Sequence, residues 1–172
     1  MTTFAQVTGR LDDRTAGNLY SVVVAVVIGG GAIGWVGPPS RAEFDEWLDD
    51  VVAAAQAGDA VAVLAGAAGG AIAGFGYWRR YARPTLRVNA DLEKVFVAPA
   101  DRGTGIGGRL VSLLAESARQ AGIETLTLDV RGDNIGALRL YERLGFTEYG
   151  RRTGFVAVGP YRYDQVLLSL KL

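Results

Sequence analysis

Residues 95–109 read VFVAPADRGTGIGGR, and this stretch decides the fold. The apolar run from Val95 to Val97 is typical of the end of a buried β-strand, and Pro99 ends it because proline lacks the N–H that a ladder needs. From Arg109 to Ala121, apolar residues recur at helical spacing, which predicts an amphipathic helix. A glycine-rich turn therefore carries the chain from a strand into a helix.

The turn has the composition of an anion-binding loop. Four of the six residues from 103 to 108 are glycines, and glycine lets a backbone approach a ligand closely. The first N–H groups of the following helix are unpaired and lie at the positive end of its dipole. A pyrophosphate is the anion that this arrangement suits best.

Two nucleotide-binding motifs compete for this turn. A P-loop requires Gly-Lys-Ser/Thr at its end, whereas Arg109 follows Gly108 here, so that motif is excluded. A dinucleotide fingerprint fits the spacing of Gly103, Gly105 and Gly108, and Asp129 follows at the next strand. Against the fingerprint, five residues separate the strand from its first glycine, and the 43 residues after Asp129 are too few for a doubly wound sheet.

Two motifs in this order resemble those of the GNAT superfamily of N-acetyltransferases. Arg102-x-x-Gly105-x-Gly107, placed after Val-x-Pro, resembles the acyl-CoA pyrophosphate loop of that family. The second motif follows the family pattern N-x-x-A-x-x-L-Y-x-x-L-G-F and includes Asn134, Ala137, Leu138, Tyr141, Leu144, Gly145 and Phe146. The resemblance covers residues 90–150 strongly and the flanking residues in outline.

The resemblance implies an α/β fold of the α+β type, with a mixed, mostly antiparallel sheet of six to seven strands and about four flanking helices. It implies one acetyltransferase domain over residues 1–172, with acetyl-CoA as co-substrate and no metal. The implied acetyl-CoA contacts are Val95, Phe96, Val97, Arg102, Gly103, Thr104, Gly105, Ile106, Gly107, Gly108 and Asn134.

Composition excludes several other kinds of site. The sequence has no Cys and no His, which excludes disulfides, thiolate nucleophiles, histidine triads and the usual zinc sites. Its formal net charge is zero, so we expect no nucleic-acid partner. Residues 79–109 hold seven basic residues against three acidic ones. This local excess would suit a ligand with three phosphates, and a solvated surface is the alternative.

The uncharged stretch between Arg14 and Arg41 is the one candidate for membrane contact. Its apolar run is broken by three glycines at 29–31, so we predict a buried helix rather than a membrane span. The first eleven residues contain no apolar signal segment, and we therefore expect a cytoplasmic protein. We also expect a monomer or a homodimer.

Local patterns predict the remaining elements. Asp12 or Asp13 is expected to cap a helix that extends to Ile28, and Ser40 with Glu43 forms a capping box for the next helix. The predicted strands span 3–8, 60–65, 71–78, 91–97, 125–130, 146–158 and 163–170, and the helices after the first span 41–57, 109–121 and 134–144.

Acyl transfer to an amine needs a base, because alkylammonium groups are charged at neutral pH. Strict alternation along the central strand places Asp91, Glu93, Val95 and Val97 on one face and Lys94 on the other. By resemblance, Glu93 matches the commoner position of a catalytic carboxylate and Asp91 matches the other one. A salt bridge to an arginine from 79–87 is the structural alternative for either carboxylate.

The remaining candidate residues are assigned by resemblance. Tyr141 is the candidate acid that protonates the thiolate, and Asn134 caps its helix and binds the pantetheine arm. Asp129 is a candidate for binding the substrate ammonium or, alternatively, for capping the turn at 131–133. Trp35 and the loop 29–39 are candidates for binding the acceptor, together with the closing hairpin.

The sequence does not identify the acceptor. The central strand and the Leu128-Asp129 step resemble those of tabtoxin-type resistance acetyltransferases, which implies a small-molecule amine. An aminoglycoside, a polyamine, an amino-acid derivative and a protein N-terminus remain open. A non-catalytic acyl-CoA sensor or interaction module is the alternative function.

Overall fold

A computed structural model describes residues 2–172 as one seven-stranded sheet with four α-helices. In chain order the elements are β1 (Thr3–Val7), α1 (Asp13–Ile28), α2 (Arg41–Gln56), β2 (Ala60–Gly66), β3 (Ile72–Arg80), β4 (Asn89–Val97), α3 (Ile106–Gln120), β5 (Thr125–Arg131), α4 (Ile135–Arg143), β6 (Thr147–Val158) and β7 (Tyr161–Lys171). The predicted fold class is confirmed.

The first two helices begin at the predicted caps. The side chain of Asp12 accepts a hydrogen bond from the Thr15 N–H at 2.9 Å and so caps α1. Both halves of the Ser40–Glu43 capping box are formed at the start of α2. Helix α1 is rich in β-branched residues, which disfavour helices, but its buried apolar face stabilises it.

The strand order is β1-β2-β3-β4-β5-β7-β6, and β4 and β5 run parallel. Their pairing extends only from Asn89↔Thr125 to Asp91↔Thr127. Beyond Asp91 the two strands separate, although β4 continues to Val97 and β5 to Arg131. The sheet therefore opens into a split beside the start of α3.

The sheet separates two apolar cores. Helices α1 and α2 cover one face, around Phe44 and Phe75, whereas α3 and α4 cover the other, around Leu110 and Tyr141. Packing explains why position 74 on β3 is a glycine, because a Cβ there would lie 2.7 Å from the Phe96 carbonyl oxygen. We refer to these sides below as the α1/α2 face and the α3/α4 face.

Helix α3 begins at Ile106, so the predicted start at Arg109 is wrong by three residues. Gly105 precedes the helix with φ 85° and ends the turn, while Ile106 is buried in the core of the α3/α4 face. Burial of Ile106 overcomes the low helix propensity of Gly107 and Gly108.

Within residues 2–172, no helix is both long and apolar enough to cross a membrane.

Candidate functional site

Two adjoining cavities occupy the split between β4 and β5. The smaller has a volume of about 250 Å³ and is lined by the acidic part of β4, by β5 and by the loop 32–34. The larger has a volume of about 760 Å³ and extends over the glycine-rich turn. Seven residues line both cavities and mark their junction: Ala32 and Ile33 before α2, Val95 on β4, Arg131 on β5, and Asn134, Ala137 and Tyr141 at α4.

The larger cavity has the features of a phosphate site. Gly103 and Gly105 have φ values of 77° and 85°, a conformation that favours glycine. The N–H groups of the first helical positions of α3 have no acceptor within the helix, and the first turn contains no acidic residue. The arginines among the lining residues are Arg102, Arg131 and Arg143.

Most of the predicted acetyl-CoA contacts lie at this cavity. Its lining residues include Val95, Phe96, Val97, Arg102, Gly103, Gly105, Gly107, Gly108 and Asn134. Thr104 and Ile106 do not line it: the Thr104 hydroxyl donates to the Asp101 carbonyl at 2.6 Å, and the Ile106 side chain is buried.

Three arginines of the basic stretch support the alternative of a solvated surface, because they line neither cavity. Arg79 forms an ion pair with Asp50, and Arg80 and Arg87 form ion pairs with Asp59. These ion pairs hold the three guanidinium groups against α2 and the residues that follow it. Sequence adjacency could not show this, because Asp50 and Asp59 come from distant positions.

A β-bulge changes the predicted alternation of β4. The register with β3 shifts between Phe75/Phe96 and Tyr77/Glu93, and Lys94 has φ 44°. As a result Glu93 and Lys94 both project to the α1/α2 face, whereas Val95 packs against the α3/α4 core. The prediction that Val95 and Val97 share a face with Asp91 and Glu93 is wrong, because the bulge inserts one extra residue.

Glu93 lies in the smaller cavity and is oriented by a buried tyrosine. The Tyr77 hydroxyl donates to its carboxylate at 2.6 Å, and the Trp47 indole N–H donates to the Tyr77 oxygen at 3.4 Å. Burial and the neighbouring Glu93 charge raise the pKa of Tyr77, so its hydroxyl keeps its proton and donates at neutral pH. Glu93 therefore carries a fixed hydrogen bond and faces a cavity.

Asp91 lies where β4 and β5 part. The Thr127 hydroxyl donates to its carboxylate at 2.7 Å, and the Tyr81 hydroxyl lies 2.6 Å from the Thr127 oxygen. Burial, with a smaller contribution from Glu93 and Asp129, raises the pKa of Asp91 to about 6, although the Thr127 hydrogen bond opposes the shift. The alternative of a salt bridge to Arg79 is not formed, since Arg79 bonds Asp50.

Asp129 and Trp35 have different surroundings. Asp129 is exposed and lines the smaller cavity, whereas the turn after β5 is held by an Arg131–Asp133 ion pair at 2.6 Å. Trp35 lies behind the cavity wall: its ring contacts Trp47 at 5.4 Å between centroids and the Lys94 ammonium at 4.1 Å. Phe155, Tyr161 and Tyr163 of the closing hairpin do not line either cavity.

Tyr141 lies at the junction of the two cavities. Its ring packs edge-on against Phe146 with centroids 5.3 Å apart, and burial raises the pKa of its hydroxyl above the usual range. Asn134 caps α4 as predicted, accepting from the Ala137 N–H at 3.2 Å.

Sequence reasoning missed Lys94 as a lining residue of the smaller cavity. Its ammonium donates to the Ile33 carbonyl at 2.8 Å and lies over the Trp35 ring. It was missed because unbroken alternation along β4 was assumed, which places Lys94 on the other face of the strand.

No group of three potential metal-ligating side chains is present within residues 2–172.

The Acetyltransferase (GNAT) family matches residues 28–146, which is more than half of the chain. The protein belongs to this family. The chain is 32% identical over 83 residues to the [Ribosomal protein bS18]-alanine N-acetyltransferase of Escherichia coli, covering 48% of this chain and 56% of that protein. It is 35% identical over 75 residues to the L-methionine sulfoximine/L-methionine sulfone acetyltransferase of Salmonella typhimurium, covering 44% and 42% respectively.

The chain spans about half the length of these curated relatives, with 56% and 42% of their residues matched. Among solved structures, it matches a GNAT superfamily phosphinothricin acetyltransferase from Sinorhizobium meliloti in complex with AcCoA. The TM-score is 0.83 at 19% identity, covering 99% of this chain and 88% of that one. At that identity the structural match establishes the fold.

Proposed function

We propose that the protein is an acetyl-CoA-dependent N-acetyltransferase that acts on the primary amine of a small molecule. The observation that carries this proposal is a pair of adjoining cavities, with a glycine-rich helix N-terminus in one and carboxylates in the other. Their junction at Tyr141 is where a thioester and an amine would meet.

The larger cavity suits the co-substrate. The unpaired N–H groups at 106–108, with Arg102, would bind the pyrophosphate. Asn134 would bind the pantetheine arm through its side-chain amide, whose oxygen also caps α4. The shared lining residues would then place the thioester beside Val95 and Tyr141.

The proposed chemistry is direct transfer. Glu93 takes a proton from the ammonium, directly or through a water, and Asp91 is the alternative base. The free amine attacks the thioester carbonyl carbon to form a tetrahedral oxyanion, and the C–S bond then breaks as Tyr141 donates its proton to the departing thiolate. The nitrogen gives its second proton to the tyrosinate, directly or through a water, so that a neutral amide and free coenzyme A are left and one proton remains on Glu93. Backbone N–H groups of β4 near the bulge, where the strand no longer pairs with β5, would stabilise the oxyanion.

We take the smaller cavity as the acceptor cavity, and its size supports a small molecule as the acceptor. Its volume is about 250 Å³. One relative is named for an alanine of a ribosomal protein and another for methionine derivatives, so the names of the relatives do not decide the acceptor. We further propose that residues 1–172 act as one catalytic domain.

The direct test is release of free thiol from acetyl-CoA with a panel of amines, with mass spectrometry of the products. We expect one acetylated amine for each thiol released. Binding of acetyl-CoA without thiol release for any amine would instead support a non-catalytic acyl-CoA sensor. Binding of NAD in place of acetyl-CoA would support the dinucleotide motif.

A further inference from the structure

We propose that Lys94 binds an anionic group of the acceptor, so that the substrate is an amine that also carries a carboxylate, as in an amino acid. This inference rests on the proposed acetyltransferase function and names the substrate class of its acceptor cavity. Lys94 is one of two lysines in the sequence, the other being Lys171.

The first support is the position of the ammonium group. The bulge turns Lys94 to the same side of β4 as Glu93, and both residues line the smaller cavity with Asp91 and Asp129. A cationic amine alone would be served by the three carboxylates. A cation next to them provides the opposite charge that a zwitterionic acceptor requires.

The second support is how the ammonium is held. Its protein contacts are neutral: the Ile33 carbonyl at 2.8 Å and the ring face of Trp35 at 4.1 Å. A lysine ammonium has three donors, and the Ile33 bond uses one of them. The ammonium is partly desolvated by burial, which lowers the pKa of Lys94. No carboxylate among residues 2–172 is in direct contact with its charge.

The third support is the space around the ammonium. Gly34 lines the same cavity with φ 88°, and a Cβ there would lie 2.8 Å from the Lys94 nitrogen. The missing side chain keeps the ammonium open to the cavity. The other cation of this cavity, Arg131, is already paired with Asp133.

The other charges around this site are consistent with the assignment. Glu93 adjoins Lys94 on β4, Asp129 and Arg131 lie on β5, and the α1–α2 loop contributes the Ile33 carbonyl rather than a charge. The carboxylates would take the acceptor ammonium while Lys94 takes its carboxylate. The cavity volume of about 250 Å³ suits a molecule of amino-acid size.

The test compares matched acceptors: glycine, alanine, serine, leucine, β-alanine and 4-aminobutyrate, each with its carboxamide. We expect wild type to favour at least one carboxylate over its amide by about 10- to 100-fold in kcat/KM. Lys94→Met should reduce that preference at least 10-fold, since it removes the ammonium and keeps an apolar side chain. Comparing the ratio between proteins cancels the difference in amine pKa between an acid and its amide.

Lys171→Met is the matched control, because the Lys171 ammonium also donates to a neutral oxygen, that of Thr125, away from both cavities. Its preference should equal that of wild type. Gly34→Ala is a second route that keeps the lysine but crowds its nitrogen, and it should also lower the preference.

An equal loss of kcat/KM for acids and amides in Lys94→Met would overturn the inference, because a loop latch or an oxyanion contact would act on every acceptor alike. Turnover of simple monoamines without turnover of any acid would overturn it while leaving the acetyltransferase function standing. Absence of thiol release with every amine tested would instead reject the proposed function, and this inference with it.

Discussion

The glycine-rich turn at 102–108 and the acceptor cavity at the other end of the split hold their polar groups in different ways. At the turn the groups that we propose to bind the pyrophosphate belong to the backbone, whose conformation includes positive φ values at Gly103 and Gly105. In the acceptor cavity the polar groups are side chains, and each forms a hydrogen bond with an element that is distant in sequence. Glu93 depends on Tyr77 of β3, Asp91 on Thr127 of β5, and Lys94 on Ile33 of the α1–α2 loop.

This difference indicates how each region should respond to mutation. Changes at the turn should act through backbone conformation and alter affinity for acetyl-CoA. Changes in the acceptor cavity should act through charge or protons and alter turnover. Variants that mix the two effects would show that the regions are not separable.

Glu93→Gln should have the largest effect, lowering turnover by about 10²- to 10⁴-fold while acetyl-CoA affinity stays near that of wild type. Glutamine keeps the shape but cannot accept the ammonium proton. Steady-state kinetics with calorimetry measure the two quantities. If Asp91→Asn gives the large loss and Glu93→Gln does not, Asp91 is the base.

Gly105→Val should weaken acetyl-CoA binding by about 100-fold or more, because valine strongly resists positive φ and the turn would lose its shape. Gly58→Val is a matched control: Gly58 also has positive φ with open space around its Cβ position, but it follows α2, far from the cavities. Calorimetry should show near-normal binding for the control. Equal weakening in both variants would contradict a specific role of the turn.

Tyr141→Phe should lower turnover by about 10- to 10³-fold across the working pH range, because phenylalanine retains the packing against Phe146 but cannot donate a proton. The raised pKa of the Tyr141 hydroxyl keeps it protonated over that whole range. Tyr161→Phe, an exposed substitution on β7, is the control. A normal rate would mean that Tyr141 only packs the junction and that water protonates the thiolate.

Thr127→Val should have the smallest effect, a shift of the acidic limb of the rate profile. The Thr127 hydroxyl lowers the pKa of Asp91, which burial has raised to about 6. Its loss raises that pKa further, so an active carboxylate form is lost at higher pH and the limb moves toward neutrality. Thr125→Val, two residues earlier on β5, is the control. If wild type and both variants have the same acidic limb, Asp91 takes no part in the proton transfer.

The same pKa shift has a consequence for stability. The folded-state pKa of Asp91 lies above its ordinary value of 3.8, so this residue destabilises the fold as pH rises from about 4 to about 6. The loss is at most about 3 kcal/mol. The melting temperature of Asp91→Asn relative to wild type should therefore increase across that pH window, and a constant difference would contradict the burial of a charged Asp91.

The turn was predictable because its signals are local. The glycines, Pro99 and the helical spacing after residue 108 lie within one short stretch, as do the caps at Asp12 and Ser40. The seven strands and four helices followed from the same kinds of pattern and from the family resemblance.

The acceptor cavity was only partly predictable. Asp91, Glu93 and Asp129 line it as expected, but the bulge at Lys94 depends on the pairing of β4 with β3, which no local pattern encodes. Trp35 was assigned to the acceptor site by the family resemblance, whereas its ring lies against the Lys94 ammonium. The ion pairs of Arg79 and Arg87 likewise join residues far apart in sequence.

The central claim is that acetyl-CoA lies across the split with its sulfur beside Tyr141. An experimental structure of the complex with coenzyme A tests it most directly, through the distance from the Tyr141 oxygen to that sulfur. We predict hydrogen-bond reach or a separation bridged by one water, with the pyrophosphate on the N–H groups at 106–108. A sulfur outside the junction, or a pyrophosphate away from the turn, would contradict the account.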